Sequence, residues 1–219
     1  MRLLDVLGPV MIGPSSSHTA GAARLGNIAR ILLGEPPVQA RIILHGSFAA
    51  TYRGHGTDLA LVAGLLGFAP DDERIRDSFA WAAREGLEFS IETGDLGDVH
   101  PNTARIELTS RSGKRLSVVG SSVGGGKVEI TEISGLPVSL TGEKNTIVAM
   151  YPDRPGVVAG ITSILAKVGV NIATMRVARS GRGKTAVCVI EVDQDIPEEV
   201  VQEVRQLPTI ENVIVVRAQ

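Results

Sequence analysis

The apolar pattern is most legible in the last third of the chain. Residues 145–151 (NTIVAMY) form a short β-branched run, the composition of a strand. Between residues 155 and 168, Val158, Ile161, Ile164, Leu165 and Val168 recur at helical spacing, and Gly169 follows where a left-handed residue ends a helix. Residues 170–179 and 184–192 read as two strands joined by the turn Ser180-Gly181-Arg182-Gly183. A second helix over 197–207 opens on Pro197 and then acidic residues, which suit the positive end of a helix dipole. Residues 210–217 are the last strand. The order β-α-β-β-α-β predicts the split βαβ, or ferredoxin-like, unit.

The pattern upstream is different. Ser15–Ser17 precede an Ala-rich helix that runs to about Leu33, and residues 38–45 resemble a strand. Residues 57–66 and 71–85 read as helices with N-capping residues. Strand-like runs follow over 87–93, 103–110, 114–120 and 127–133, with Arg111-Ser112-Gly113 turning the middle pair. Helices first and strands later predict an α+β layer and not a doubly wound sheet. The polar turn Thr141-Gly142-Glu143-Lys144 separates two expected domains, 1–140 and 145–219.

With 219 residues, the chain is long enough to bury a core without disulfides. Twenty-two basic against 24 acidic side chains, with 3% aromatics, argue against a strongly basic, base-stacking nucleic-acid surface and leave room only for a local patch. No apolar run reaches the roughly 18 residues of a membrane span. Asp5 and the Gly8-Pro9 break argue against a signal peptide, so a cytoplasmic protein is expected. The single cysteine, Cys188, lies in a predicted strand; one thiol excludes an internal disulfide, a CxxC zinc site and a self-contained iron–sulphur cluster.

The densest polar cluster is GPSSSHT. Ser15, Ser16, Ser17, His18 and Thr19 stand where a helix begins, so hydroxyls and backbone N–H groups would converge on an anion. The plainer alternative is one capping serine with solvated neighbours. A second cluster runs from His45-Gly46-Ser47 to Gly54-His55-Gly56-Thr57-Asp58. His55, between two glycines just before a helix, suits proton transfer near neutral pH, or is a loop histidine without a task. His45, ending an apolar run, reads as a hydrogen-bonded core histidine. His100-Pro101-Asn102-Thr103 is a polar turn, and Ser121-Ser122-Val123-Gly124-Gly125-Gly126-Lys127 a Gly-rich one without Walker spacing. No segment shows the strand–Ser–helix turn of a nucleophile elbow, and H-E-x-x-H is absent. In the C-terminal module, Asp153-Arg154-Pro155-Gly156 and Gly169-Val170-Asn171-Ile172 are expected at one end, with Asn171 facing the Gly156 turn.

GPSSSHT, HGSFAATYRGHGTD, HPNT and SVGGG, in this order, resemble the β chain of bacterial iron–sulphur-dependent L-serine dehydratase. NTIVAMYPDRPGVVAGITSILAKVGVNI resembles an ACT domain, an amino-acid-sensing module. The N-terminal region is also similar to the allosteric substrate-binding domain of some phosphoglycerate dehydrogenases. The resemblance implies elimination of water from L-serine, with pyruvate and ammonia as products. It further implies a 4Fe–4S cluster held by cysteines of a partner α subunit, and no metal on this chain. By the same resemblance, Ser15, Ser16, Ser17 and Thr19 clamp the substrate and His55 is the base. His18 binds substrate or assists, and Asn102 and Thr103 complete the pocket. In the ACT part it implies an effector, L-serine first, at Asp153, Arg154, Gly156, Asn171 and Ile172, and a homodimer through the ACT sheets. The competing expectation is a regulatory amino-acid-binding protein without a catalytic share.

Overall fold

The computed structural model describes residues 10–218. The argument against a signal peptide from Asp5 and Gly8-Pro9 lies outside the described residues. Two compact units divide between Ser134 and Gly135.

In the first unit a π-turn, Ser16–Gly21, runs without a break into helix α1 (Ala22–Leu33). Strand β1 (Pro37–Leu44) leads to α2 (Gly46–His55) and α3 (Thr57–Leu65). A 3₁₀ turn, Glu73–Asp77, precedes α4 (Ser78–Glu85). The strands β2 (Glu88–Thr93), β3 (Thr103–Ser110), β4 (Arg115–Gly124) and β5 (Lys127–Ile133) follow. The sheet order is β2-β1-β3-β4-β5; β2 is parallel to β1 and the other neighbours are antiparallel. Ile42, Leu44, Ile106, Leu108, Val118 and Ile130 are buried along the sheet. Helices α1 and α3 meet backbone to backbone at Gly26 and Gly64. A Cβ on Gly64 would stand 2.1 Å from the Ala23 carbonyl oxygen, and one on Gly26 2.3 Å from that of Leu61.

The α+β class expected from the order of elements holds, with three local departures. Residues 46–55 form a helix although they carry no apolar period, because α2 fully buries only Phe48. His55 is therefore the last residue of a helix and not a loop residue; Gly56, at φ +66°, turns the chain into α3. The helix expected over 71–85 is broken: Asp72 caps the 3₁₀ turn by accepting from the Arg74 N–H, and α4 starts only at Ser78. Ser121 and Ser122 are buried residues inside β4, not part of a Gly-rich turn.

The second unit opens with β6 (Leu136–Leu140), which its brevity and Pro137 concealed in the pattern. The elements β7 (Asn145–Pro152), α5 (Val157–Lys167), β8 (Ile172–Arg179), β9 (Thr185–Val192), α6 (Glu198–Arg205) and β10 (Asn212–Val216) follow. Their order in the sheet, β10-β7-β9-β8, all antiparallel, is the expected ferredoxin-like arrangement. Ile147, Ala149, Cys188 and Ile190 of the sheet pack with Ile161 and Leu165 of α5 and Val200 and Val204 of α6. One expectation is overturned. β7 and β8 both pair antiparallel with β9 and so run the same way, and α5 returns the chain to the end where β7 began. Asn145 and Ile172 both stand opposite Val192, whereas the Asp153 N–H bonds the Lys184 carbonyl at the far end. Asn171 therefore does not face the Gly156 turn.

Candidate active site

Ser15 has extended backbone (φ −138°, ψ 123°), and its hydroxyl oxygen accepts the His18 N–H at 3.1 Å, the bond of an N-cap. This fixes the start of the π-turn, a distortion common at functional sites, and aims the His18 ring toward α2. The imidazole is hydrogen-bonded at both nitrogens: Nδ1 lies 3.3 Å from Ser15 Oγ and Nε2 3.1 Å from Ser47 Oγ. One face meets Phe48 edge-on at 5.4 Å between centroids, and His55 stands 4.8 Å away at 37°. Burial first, and the neighbouring His55 second, hold His18 below the usual imidazole pKa. His18 is thus neutral at neutral pH.

The crossing of α1 and α3 brings the two histidines together. His18 stands four residues before α1 and His55 two before α3, so the close approach at Gly26 and Gly64 sets the separation of the helix starts. Thr19, 2% exposed, ties the two segments by donating its hydroxyl to the His55 carbonyl at 3.2 Å. The other end of α2 is tied to the HPNT turn. The Ser47 N–H bonds the Pro101 carbonyl at 2.8 Å and the His45 N–H bonds that of Thr103 at 3.0 Å. Gly46 is required for this approach: it takes φ +55°, and a Cβ would lie 2.6 Å from the Pro101 oxygen.

The residues nominated from the sequence divide into two groups. Ser16 and Ser17 are part-buried, and their hydroxyls have no hydrogen-bond partner among the described residues. His55 Nδ1 and Asn102 Oδ1 are buried polar atoms without a partner. These groups have unused hydrogen-bonding capacity. Thr19 and Thr103 differ from expectation. The Thr103 hydroxyl donates to the His100 carbonyl and meets Ser121 Oγ, both at 2.6 Å, in a fully buried position. Both threonines brace the site because their hydroxyls are already committed. His45, whose Nδ1 accepts the Leu96 N–H at 3.2 Å, is hydrogen-bonded as expected.

Ser47 was not nominated. Its signal was the stripe Ser47, Thr51, His55 at i, i+4 and i+8, one face of a helix, hidden while the segment read as a loop. In the second unit, Asp153 is ion-paired with Arg179 at 2.6 Å, which with the Gly183 N–H holds its carboxyl below the usual range. Arg154 and Gly156 are exposed. The Asn171 amide donates to Asp193 at 2.7 Å, next to Lys144.

The serine dehydratase beta chain family matches residues 4–85 and the ACT domain family residues 145–209. The chain is 45% identical over 208 residues to a probable L-serine dehydratase, beta chain, of Bacillus subtilis (strain 168), covering 95% of this chain and 94% of that one. It is 41% identical to the L-serine dehydratase, beta chain, of Peptoniphilus asaccharolyticus, covering 89% and 88%.

The chain belongs to the L-serine dehydratase β-chain family.

A D-3-phosphoglycerate dehydrogenase of Methanocaldococcus jannaschii is 33% identical over 58% of this chain but only 24% of its own length. In this β chain, GPSSSHT and RGHGTD, two of the motifs that carried the resemblance, form the two walls of the histidine pair. No described helix is long and apolar enough to cross a membrane.

Proposed function

We propose that the chain is the substrate-gripping and proton-moving half of an L-serine dehydratase, completed by an iron–sulphur α subunit. The observation that carries this is the packing of His18 against His55, 4.8 Å between centroids, with two uncommitted serine hydroxyls on the His18 turn. Ser16 and Ser17, with the N–H groups of the first helical turn, hold the substrate carboxylate. Asn102 Oδ1, an acceptor without a donor, suits the substrate ammonium. His55 takes the α-proton on a ring nitrogen, and His18, kept neutral beside it, does not repel the imidazolium that forms. A positioned base of this kind contributes about 10²–10⁴-fold.

The donor set of this chain does not fit a cluster. Cys188, its only cysteine, is fully buried in β9, and among the described residues no three His, Cys, Asp or Glu side chains are grouped to hold a metal ion. In this reading the 4Fe–4S cluster therefore belongs to the α subunit, and the steps assigned here involve only this chain's own side chains.

The test is His55→Ala in a reconstituted αβ complex, assayed for pyruvate. Turnover falls by about 10²-fold or more; near-normal turnover removes His55 from the base role. Pyruvate formed by this chain alone, without iron, overturns the division of labour. The second reading, an amino-acid-binding regulatory protein, is favoured by the ACT domain; wild-type turnover unaffected by His55→Ala, together with serine binding, would establish it.

For the ACT domain we propose amino-acid sensing, L-serine first, in a homodimer. The edge strand β8 exposes Met175 and Val177 by 44% and 46%. Asp153, Arg154 and Gly156 lie at one end of the module and Asn171 and Ile172 at the other, so a single effector site using both sets needs two copies. Sedimentation shows a dimer and calorimetry shows heat with L-serine; a monomer giving no heat with any amino acid refutes both.

A further inference from the structure

The His18 ring is held at both ends by hydroxyls from two separate segments, and only one of these lies in the serine-rich cluster. Ser15 caps the turn that carries His18, so its contact with Nδ1 is local and moves with the ring. Ser47 comes from α2, and its oxygen is 3.1 Å from Nε2. Ser47 is itself fixed from three directions. Its N–H donates to the Pro101 carbonyl at 2.8 Å, its carbonyl accepts the Thr51 hydroxyl at 2.8 Å, and Gly46 before it admits the close approach to Pro101. The ring therefore cannot turn about its χ2 torsion without losing a bond to a rigid neighbour. Phe48 and His55 both pack against the ring, at 5.4 and 4.8 Å between centroids.

We infer that Ser47 is a positioning residue of the dehydratase, its hydroxyl fixing the plane of the His18 imidazole against His55. The Ser15 oxygen already accepts the His18 backbone N–H, so its hydroxyl proton is best directed at Nδ1. This makes Nδ1 the acceptor and leaves the single proton of the neutral ring on Nε2, donated to Ser47 Oγ. The Ser47 hydroxyl proton then remains available to an acceptor in the site. Such outer contacts on a histidine set which nitrogen carries the proton. The inference rests on the proposed role of the histidine pair, and it names the group that keeps the pair in register.

Two measurements test it. In the full-length chain alone, the imidazole ¹⁵N shifts of His18 in the wild type report one neutral tautomer with the proton on Nε2. In Ser47→Ala the Nε2–H loses its acceptor and the Nε2 shift moves while the tautomer set by Ser15 is kept, and in Ser47→Thr the shift returns. In the αβ complex, Ser47→Ala lowers kcat by about tenfold or more with KM little changed, as expected when a reacting group is mis-oriented rather than removed. Ser47→Thr restores most of the loss. An Nε2 shift unchanged in Ser47→Ala, or a kcat that Ser47→Thr fails to rescue, overturns the inference. A wild-type complex that makes no pyruvate refutes the proposed function instead, and the ¹⁵N measurement still decides whether Ser47 positions the ring.

Discussion

Replacing Gly64 by alanine tests whether the helix crossing sets the histidine pair. The new Cβ would lie 2.1 Å from the Ala23 carbonyl oxygen, 2.7 Å from the Asn27 nitrogen and 2.9 Å from the Gly26 Cα. Ordinary contacts between such atoms are about 3.5 Å, so α1 and α3 must separate by about 1 Å or more. All three opposing atoms are backbone, and no side chain can rotate away. Overpacking costs about 1–3 kcal/mol, and here the upper end applies. Alanine recovers about 1 kcal/mol of helix propensity, leaving a net loss of about 2 kcal/mol. For a chain of this size that lowers the unfolding temperature by roughly 4–8 °C. Trp81, the only tryptophan, lies in α4 of the same unit against Phe68, so its fluorescence reports this unit specifically. Gly54→Ala is the control: nothing lies within 4 Å of its Cβ position, and the same substitution there raises stability by about 0.4–1 kcal/mol. Because the crossing spaces His18 from His55, Gly64→Ala also lowers kcat of the αβ complex, by up to about 10²-fold for a 1 Å displacement. A Gly64→Ala protein as stable and active as wild type would refute both the backbone contact and its link to the site.

Two further outcomes follow from the titrating groups. His18 is held below its unfolded value, near 6.5, so between the folded and unfolded values the unfolded chain binds more protons. Stability is full above about pH 6.5 and declines as the pH falls through that window; a urea midpoint that rises from pH 5 to 7 no less steeply in His18→Gln than in wild type would contradict this. Cys188 is fully buried, and burial pushes its thiol up to about 11. It therefore resists thiol reagents in the native protein and reacts once denatured; rapid labelling of native protein would show that β9 is open.

The ferredoxin-like unit was legible because each of its helices buries one apolar stripe and its strands are bounded by turn-forming residues. The GPSSSHT cluster was legible as a helix start because Ser15 caps locally, within three residues of His18. Helix α2 was not, since periodicity reports burial and α2 buries a single side chain completely. The stripe of Ser47, Thr51 and His55 consequently went unread. The broken helix before α4 shows the converse: Asp72 bonding the Arg74 N–H is a local alternative that amphipathic spacing does not display. One helix joins the two ACT loops in the sequence, but the direction of β8 relative to β7 sets them at opposite ends.

By itself the sequence determined the chemical types at hand: hydroxyls at a helix start, a histidine between glycines, one thiol unfit for a cluster, and an ACT module built from short-range patterns. Only the tertiary structure decided which of these groups meet. The contact of His18 with His55, the bond between His18 and Ser47, and the withdrawal of Thr19 and Thr103 into bracing roles depend on a helix crossing and a strand order. Those are set by backbone atoms of residues distant in the chain, and local propensity carries no information about such distances.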